Sequence, residues 1–208
     1  MSDVLTLAAA LLVAGPAIGT VCLSYPSFWR VWTVPREEHL ALVAAHRLAW
    51  TMVNVGFTAA TILTAFGLVI LAGSLDVADG PKAALVAGAV AYAIAGTLWC
   101  AGQAIRTRLT PALAALVAAG TPTEPAETLL GAVTGGLYSA FMLSTSLALV
   151  AIGLTLVVGG GVAVPAAWAV TLLAVGALGG FFAFDGFLPA AIYPPTLLIG
   201  LALLLGWT

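Results

Sequence analysis

Residues 39–73 read HLALVAAHRLAWTMVNVGFTAATILTAFGLVILAG. This run of 35 residues contains no acidic residue, and Arg47 is its only arginine. As a helix, about 20 consecutive apolar residues cross the ~30 Å hydrocarbon layer of a bilayer. The run is therefore a predicted transmembrane helix that is longer than the membrane requires. We therefore expect an all-α integral membrane protein that is built as a compact helical bundle.

The composition of the whole chain agrees with this prediction. Of its 208 residues, 62% are hydrophobic and 7% are charged, whereas a soluble domain has about 25% charged residues. The net charge is −2, and lysine and arginine together number only 6. A nucleic-acid-binding protein needs a basic face. The composition therefore excludes soluble enzymes and nucleic-acid-binding proteins.

Prolines, glycines and charged residues divide the chain into six predicted transmembrane helices within a single domain, residues 1–208. These helices cover about 4–25, 39–73, 83–105, 128–159, 165–184 and 190–207. The segment 26–38 is expected to be an amphipathic connector at the level of the lipid headgroups. Thr110 and Pro111 are expected to be the N-cap and the first residue of a short interfacial helix within the loop 106–127.

The distribution of basic residues predicts the orientation in the membrane. All five arginines lie in or beside the segments 26–38 and 106–127, whereas Lys82 lies between the second and third helices. Loops rich in lysine and arginine remain in the cytoplasm. Segments 26–38 and 106–127 are therefore predicted to lie on the cytoplasmic side of the plasma (inner) membrane.

Two stretches of the sequence resemble two later stretches. TAFGLVILAGS (64–74) is similar to VAIGLTLVVGG (150–160), and PKAALVAGAVAYAIAG (81–96) aligns with PAAWAVTLLAVGALGG (165–180). This similarity predicts a parallel repeat in which the helix pair 2–3 corresponds to the pair 4–5.

Small residues are spaced for close helix packing. Gly131 and Gly135 form a GxxxG pair, as do Gly176 and Gly180. Such glycine and alanine faces let helix backbones approach each other closely. Two interpretations stay open: packing within the chain, or association with a second copy or another membrane protein.

Polar and aromatic side chains recur at helical spacing on three predicted helices. The second helix carries Arg47, Thr51, Asn54, Thr58 and Thr61; the third carries Tyr92, Gly96, Trp99, Gln103 and Arg106; the fourth carries Thr134, Tyr138, Phe141 and Thr145. Polar groups of membrane helices face the bundle interior, because lipid cannot bind them. These faces predict either a polar and aromatic pocket or hydrogen bonds between helices that set their register.

Asp185 is the candidate catalytic residue. It is the only acidic residue after Glu127, and it stands in the aromatic stretch FFAFDGF (181–187). A carboxylic acid in this position could act as a general acid. The alternative is a structural role, either capping the next helix or pairing with Arg47 or Arg106. His46 is a second candidate, as a general base.

The predicted pocket combines this acid with aromatic and polar side chains. Its expected ligand-binding residues are Arg47, Trp50, Asn54, Tyr92, Trp99, Gln103, Arg106 and Tyr138. One acid facing aromatic rings suits isoprenoid cyclisation, because a proton starts the reaction and aromatic faces stabilise the cation. In size and in this pattern the chain resembles the small membrane-bound terpene cyclases. The resemblance is one of composition and assigns no further residues.

No metal site or cofactor is expected. His39 and His46 are seven residues apart, whereas metal-binding histidines on a helix are usually four apart. Cys22 and Cys100 both lie in apolar segments and suggest buried thiols.

Three functions are compatible with these observations. The chain could bind or transform a lipophilic small molecule, isoprenoid- or lipid-like, in a pocket on the cytoplasmic side. It could be a non-catalytic subunit or scaffold of a larger membrane complex. It could be a small carrier for neutral solutes. The predicted membrane core holds no ionised residue, which argues against proton pumps and charged ion pathways. Whether the protein is an enzyme stays open.

Overall fold

A computed structural model describes residues 2–24, 34, 36–184 and 189–207. All regular secondary structure in these residues is helical, and none of them forms a strand. The helices are α1 (Asp3–Leu23), α2 (Arg36–Ala45), α3 (Arg47–Ser74), α4 (Asp79–Ala118), α5 (Glu124–Gly159), α6 (Val164–Ala183), a 3-10 turn (Pro189–Ile192) and α7 (Tyr193–Leu204).

Six of these helices form a closed ring. In order around the ring, α1 packs on α3, α3 on α4, α4 on α5, α5 on α6, α6 on α7, and α7 returns to α1. A large hydrophobic core fills the centre of the ring, and a small second cluster joins α2, α4 and α5. Its large, fully buried side chains include Leu12, Phe57, Tyr92, Met142 and Ile152. Helix α2 lies at one end of the bundle and packs mainly against α4.

The described part of the chain contains five helices that are long and apolar enough to cross a membrane: α1, α3, α4, α5 and α6. The sixth predicted span, 190–207, is shorter than expected. Residues 189–204 comprise the 3-10 turn and α7, which is 12 residues long. Helix α7 ends in a turn. In this turn Gly206 adopts φ 70°, and the Trp207 N–H donates to the Ala202 carbonyl.

The second predicted helix, 39–73, is two helices in the structure. His46 has φ −128° and ψ 40°, which interrupts the helix between α2 and α3. Neither proline nor glycine marks this break in the sequence. The reason is tertiary, because Leu40 and Val43 of α2 are buried, and Leu40 packs against Leu113 of α4. The connector 26–38 lies largely outside the described residues.

Helix α4 continues far beyond the predicted end at 105. It runs through Pro111 to Ala118, and the predicted loop 106–127 is reduced to a short turn before α5. Pro111 has no N–H to donate to the Thr107 carbonyl, which normally ends or kinks a helix. Packing of Leu113 and Ala114 against α2 and α5 offsets this loss. Gly120, with φ 74°, then ends the helix in the left-handed conformation that glycine adopts at low cost.

The paired glycines of α5 and α6 do not pack within the described chain. A Cβ atom added to Gly131, Gly135 or Gly176 would meet no atom within 4 Å. The interpretation of these three glycines as internal packing positions is therefore wrong. Close internal approach occurs elsewhere: a Cβ on Gly15 of α1 would lie 2.7 Å from the Ala60 carbonyl oxygen of α3.

The two hairpins of the predicted repeat share one local feature. Four residues connect α3 to α4 and four connect α5 to α6. Ala78 and Ala163, which precede α4 and α6, have similar backbone angles, with φ −55° and ψ 154° against φ −54° and ψ 134°. The second helices differ in length, 40 residues against 20. The repeat itself stays a prediction.

Candidate functional site

A cavity of about 140 Å³ lies at the end of the bundle where α3 begins. Helices α2, α3, α4 and α5 line it, and one side is open to the surface. The break at His46 and the continuation of α4 past Pro111 create this cavity, because they bring α2 and the last turns of α4 together. Its lining residues are His39, Leu40, Trp50, Arg106, Thr110, Leu113, Glu127, Leu130, Gly131 and Thr134.

Trp50 forms one wall of the cavity and holds two helices together. Its side chain is buried, and its indole Nε1 donates a hydrogen bond of 3.2 Å to the Arg106 backbone carbonyl. The His39 ring stands edge-on to the Trp50 ring, with centroids 5.6 Å apart and planes at 88°. An edge-to-face contact of this kind is favourable between ring systems. Trp50 therefore links His39 of α2 to the backbone of α4.

Ionisable side chains from three helices face the same cavity. Arg106 comes from α4, Glu127 from the first turn of α5, and His39 from α2. The Glu127 carboxylate accepts a hydrogen bond from the Thr123 hydroxyl at the start of α5. An acidic group in the first turn of a helix is also favoured by the helix dipole. The carboxylate is therefore held in place beside the cavity.

An aromatic cluster lies next to the cavity, deeper in the bundle. The Trp99 ring stacks on Phe141 with centroids 4.9 Å apart and planes at 19°. Phe57 contacts Trp99 edge-on at 6.1 Å, and Tyr138 contacts it at 6.2 Å. On its other side Tyr138 meets Phe181 of α6 at 6.1 Å. These rings pack against one another.

Some polar atoms in the interior have no hydrogen-bond partner among the described residues. These atoms include Trp99 Nε1, Gln103 Oε1 and Ser146 Oγ. Trp99 and Gln103 are one helical turn apart on α4, immediately before Arg106. An ordered water or a ligand group commonly satisfies such buried atoms.

The threonines and Asn54 of the predicted polar faces on α3 and α5 bond to carbonyls of their own helices. Thr61 and Thr145, for example, donate to the carbonyls of Phe57 and Phe141, four residues earlier, at 3.0 Å and 2.6 Å. Asn54 Nδ2 likewise donates to the Trp50 carbonyl at 2.7 Å. These particular bonds lie within single helices and do not set the register between helices, whereas the bond from Trp50 to the Arg106 carbonyl does join two helices. A hydroxyl in an apolar interior bonds most readily to the nearest free lone pair, which belongs to its own backbone.

The structure separates the predicted site residues into three groups. Trp50 and Arg106 line the cavity, and Trp99, Gln103 and Tyr138 lie beside it. Tyr92 and Asn54 are buried in the core. His46 and Arg47 are exposed at the junction of α2 and α3 and do not line the cavity. Asp185 lies outside the described residues, so its role as an acid stays a prediction.

His39, Thr110 and Glu127 line the cavity but are not among the site residues predicted from the sequence. A signal for two of them was present. Thr110 and Leu113 continue the α4 face that contains Gln103 and Arg106, with steps of four and three residues. On α5, Glu127 continues the Thr134 face in the same way through Gly131. The predicted third helix ended too early, at 105, and the predicted fourth helix began too late, at 128, which hid this continuation.

Comparison of the chain with protein-family models, with curated proteins and with solved structures finds no significant match.

Proposed function

We propose that this chain is a multi-pass membrane protein that binds the head of a small lipophilic molecule in the cavity at the start of α3. Membrane insertion is supported by the outer surface as well as by helix length. Large apolar side chains on the outside of the ring are more than half exposed, among them Val21, Met52, Phe66, Ile94 and Leu172. An apolar surface of this extent is unfavourable in water and favourable in lipid.

The charge distribution supports an orientation with the cavity on the cytoplasmic side. Arg47, Arg106 and Arg108 lie at the end of the bundle that contains the cavity, because the Trp50–Arg106 hydrogen bond places the start of α3 beside this part of α4. Asp76, Asp79 and Lys82 lie at the opposite end, in or beside the α3–α4 turn. The arginine-rich end is expected to remain in the cytoplasm.

One observation carries the binding proposal. The sequence has only 14 charged residues, from 6 basic and 8 acidic ones, yet an arginine, a carboxylate and a histidine meet around one cavity. Charged groups in an apolar protein are costly and are usually functional. The cavity is therefore lined by a cation, an anion and an imidazole beside an indole ring, a combination that suits a ring that carries carbonyl or hydroxyl groups.

The size of the cavity limits what it can hold. A dry cavity of about 150 Å³ holds one benzene-sized molecule. At about 140 Å³ the cavity takes a single ring or a small polar head, and not a complete isoprenoid. In this proposal the remaining hydrocarbon of the ligand lies among the helices or in the bilayer. The enzymatic form of the hypothesis depends on Asp185 and remains a sequence-based prediction.

Native mass spectrometry of protein extracted gently from its own membrane tests the binding proposal. Gly131→Leu would fill the cavity, because Gly131 lines it and has free space around its Cβ position. Gly135→Leu is the matched control, since it lies one turn later on the same helix, also in free space, and does not line the cavity. We expect a retained molecule of defined mass that is lost with Gly131→Leu and kept with Gly135→Leu. Bare protein in both samples would refute the binding proposal.

A second function, that of a non-catalytic subunit, is favoured by the outer glycines. Gly135 and Gly136 on α5, and Gly176 and Gly179 on α6, have no neighbour within 4 Å of a Cβ position in the described chain. Small residues on a lipid-facing surface allow another helix to approach closely. A stoichiometric partner chain or second copy that is released by Gly135→Leu would support this function. Retention of a small molecule without any partner would argue against it.

A further inference from the structure

A second opening lies on the outside of the ring, between α3 and α4. It is a groove of about 300 Å³ lined by Val55, Thr58, Cys100, Ala104, Thr107 and Arg108. The groove lies on a different face of α4 from the cavity, which is lined by Arg106, Thr110 and Leu113. The two sites are therefore separate.

The wall of the groove is chemically apolar although it contains two threonines. The Thr58 hydroxyl donates to the Asn54 carbonyl at 3.0 Å, and the Thr107 hydroxyl donates to the Gln103 carbonyl at 2.7 Å. Both donors are thus already satisfied by their own helices. What remains for a ligand along the groove is contact with hydrocarbon groups and with the Cys100 thiol, which behaves as a small apolar group.

Arginines stand at one end of the groove. Arg108 lines it directly and is exposed. Arg47, also exposed, lies on the same face of α3 as Val55 and Thr58, at spacings of eight and eleven residues. The hydrogen bond from Trp50 to the Arg106 carbonyl sets these parts of α3 and α4 side by side. Arg47 and Arg108 therefore lie at the same end of the bundle.

We propose that this groove binds one anionic phospholipid, with an acyl chain along Val55 and Ala104 and the phosphate on Arg108, within reach of Arg47. The inference rests on the membrane insertion proposed above. An apolar groove that ends in guanidinium groups matches a phospholipid, because the groove can contact the acyl chain and the guanidinium groups can bind the phosphate. Arginine binds phosphate through paired, charge-assisted hydrogen bonds, and basic residues at the cytoplasmic surface attract anionic lipids.

Lipid retention in native mass spectrometry tests this assignment. The purified protein is mixed with phosphatidylglycerol or with phosphatidylcholine carrying the same acyl chains. We expect stoichiometric retention of phosphatidylglycerol and weaker retention of phosphatidylcholine. Arg108→Gln should reduce phosphatidylglycerol retention by roughly tenfold or more, whereas Arg108→Lys should keep part of it.

A second variant tests the hydrocarbon half of the site. Ala104→Phe would occupy the groove while keeping both arginines in the sequence, and it should reduce the retention of both lipids. Ala101→Phe is its matched control, because Ala101 is exposed on the same helix but does not line the groove. Equal retention of the two lipids, or wild-type retention by both Arg108→Gln and Ala104→Phe, would overturn the proposal.

Membrane extraction with alkaline carbonate separates this inference from the one on which it rests. Chain that stays in the membrane pellet but shows no preference for phosphatidylglycerol contradicts only the lipid site. Chain that is released into the supernatant contradicts membrane insertion, and the lipid site with it.

Discussion

The indole of Trp50 and the backbone carbonyl of Arg106 are 3.2 Å apart and hydrogen bonded. This bond joins the first turn of α3 to the middle of α4 across 56 positions in the sequence. It fixes the level at which the two helices meet. It thereby fixes one wall of the cavity and the relative positions of Arg47 and Arg108 at the groove.

Trp50→Phe should therefore destabilise the protein. The substitution keeps a ring in the core but removes the indole donor, and a hydrogen bond of this kind contributes about 1 kcal/mol. Thermal unfolding in detergent measures the effect. Trp168→Phe on α6 is the control, since that side chain is 46% exposed, and it should change the unfolding temperature little. Equal effects of the two substitutions would contradict a structural role for the bond.

Lys82 is expected to stabilise the end of α3. Its Nζ donates to the carbonyls of Gly73 and Leu75 at 2.9 Å and 2.7 Å, where the helix has run out of its own donors. Lys82→Met should lower the free energy of unfolding by about 1 kcal/mol, because the amine is partly exposed and water replaces some of what is lost. Lys82→Arg keeps the donors and should lose less. The role of Lys82 at the end of α3 would be disproved if the wild-type protein and Lys82→Met gave the same unfolding curve in detergent.

Substitution of Pro111 tests whether α4 is one continuous helix or whether a new helix begins at this residue. In a continuous helix, Pro111→Ala restores the missing N–H to the Thr107 carbonyl, and the variant should be more stable by about 1 to 3 kcal/mol. If Pro111 instead began a new helix with Thr110 as its cap, proline would be favourable there, and alanine would be neutral or destabilising. Thermal unfolding in detergent decides between the two results by the sign of the change.

The orientation of the bundle can be measured by cysteine labelling. Cys22 and Cys100 are first replaced by alanine, and single cysteines are then placed at Ala78, before α4, or at Thr121, before α5, both of which are exposed. The arginine distribution predicts that an impermeant thiol reagent labels position 78 in intact cells and leaves position 121 unlabelled. After the membrane is permeabilised, both should react. The reverse pattern in intact cells would overturn the predicted orientation and place the cavity on the outer side.

Part of the candidate site was predictable from helical spacing. The face through Trp99, Gln103 and Arg106 indeed turns inward on α4, because polar and aromatic groups of apolar helices avoid lipid. Continuing that face by the same spacing would have reached Thr110 and Leu113. Pro111 concealed the continuation, since proline usually marks a helix start or end. Packing of the last turns of α4 against Leu40 and Leu130 overrides that local preference.

His39 was not predictable from local pattern. It joins the cavity because the chain breaks at His46 and α2 turns across the bundle. Nothing in HLALVAAHRLAW distinguishes this break from a continuous helix, because the run contains neither glycine nor proline. The burial of Leu40 and Val43, which depends on α4, decides the direction of α2.

The sequence by itself determined the helical class, five of the six predicted apolar helices and the inward faces of α4 and α5. These properties follow from composition and from the 3.6-residue period, which each segment carries locally. Only the tertiary structure decided where α4 ends, where α2 separates from α3, and which charged groups meet. Those outcomes depend on side chains packed from distant parts of the chain, and packing energy of that kind has no local signal in the sequence.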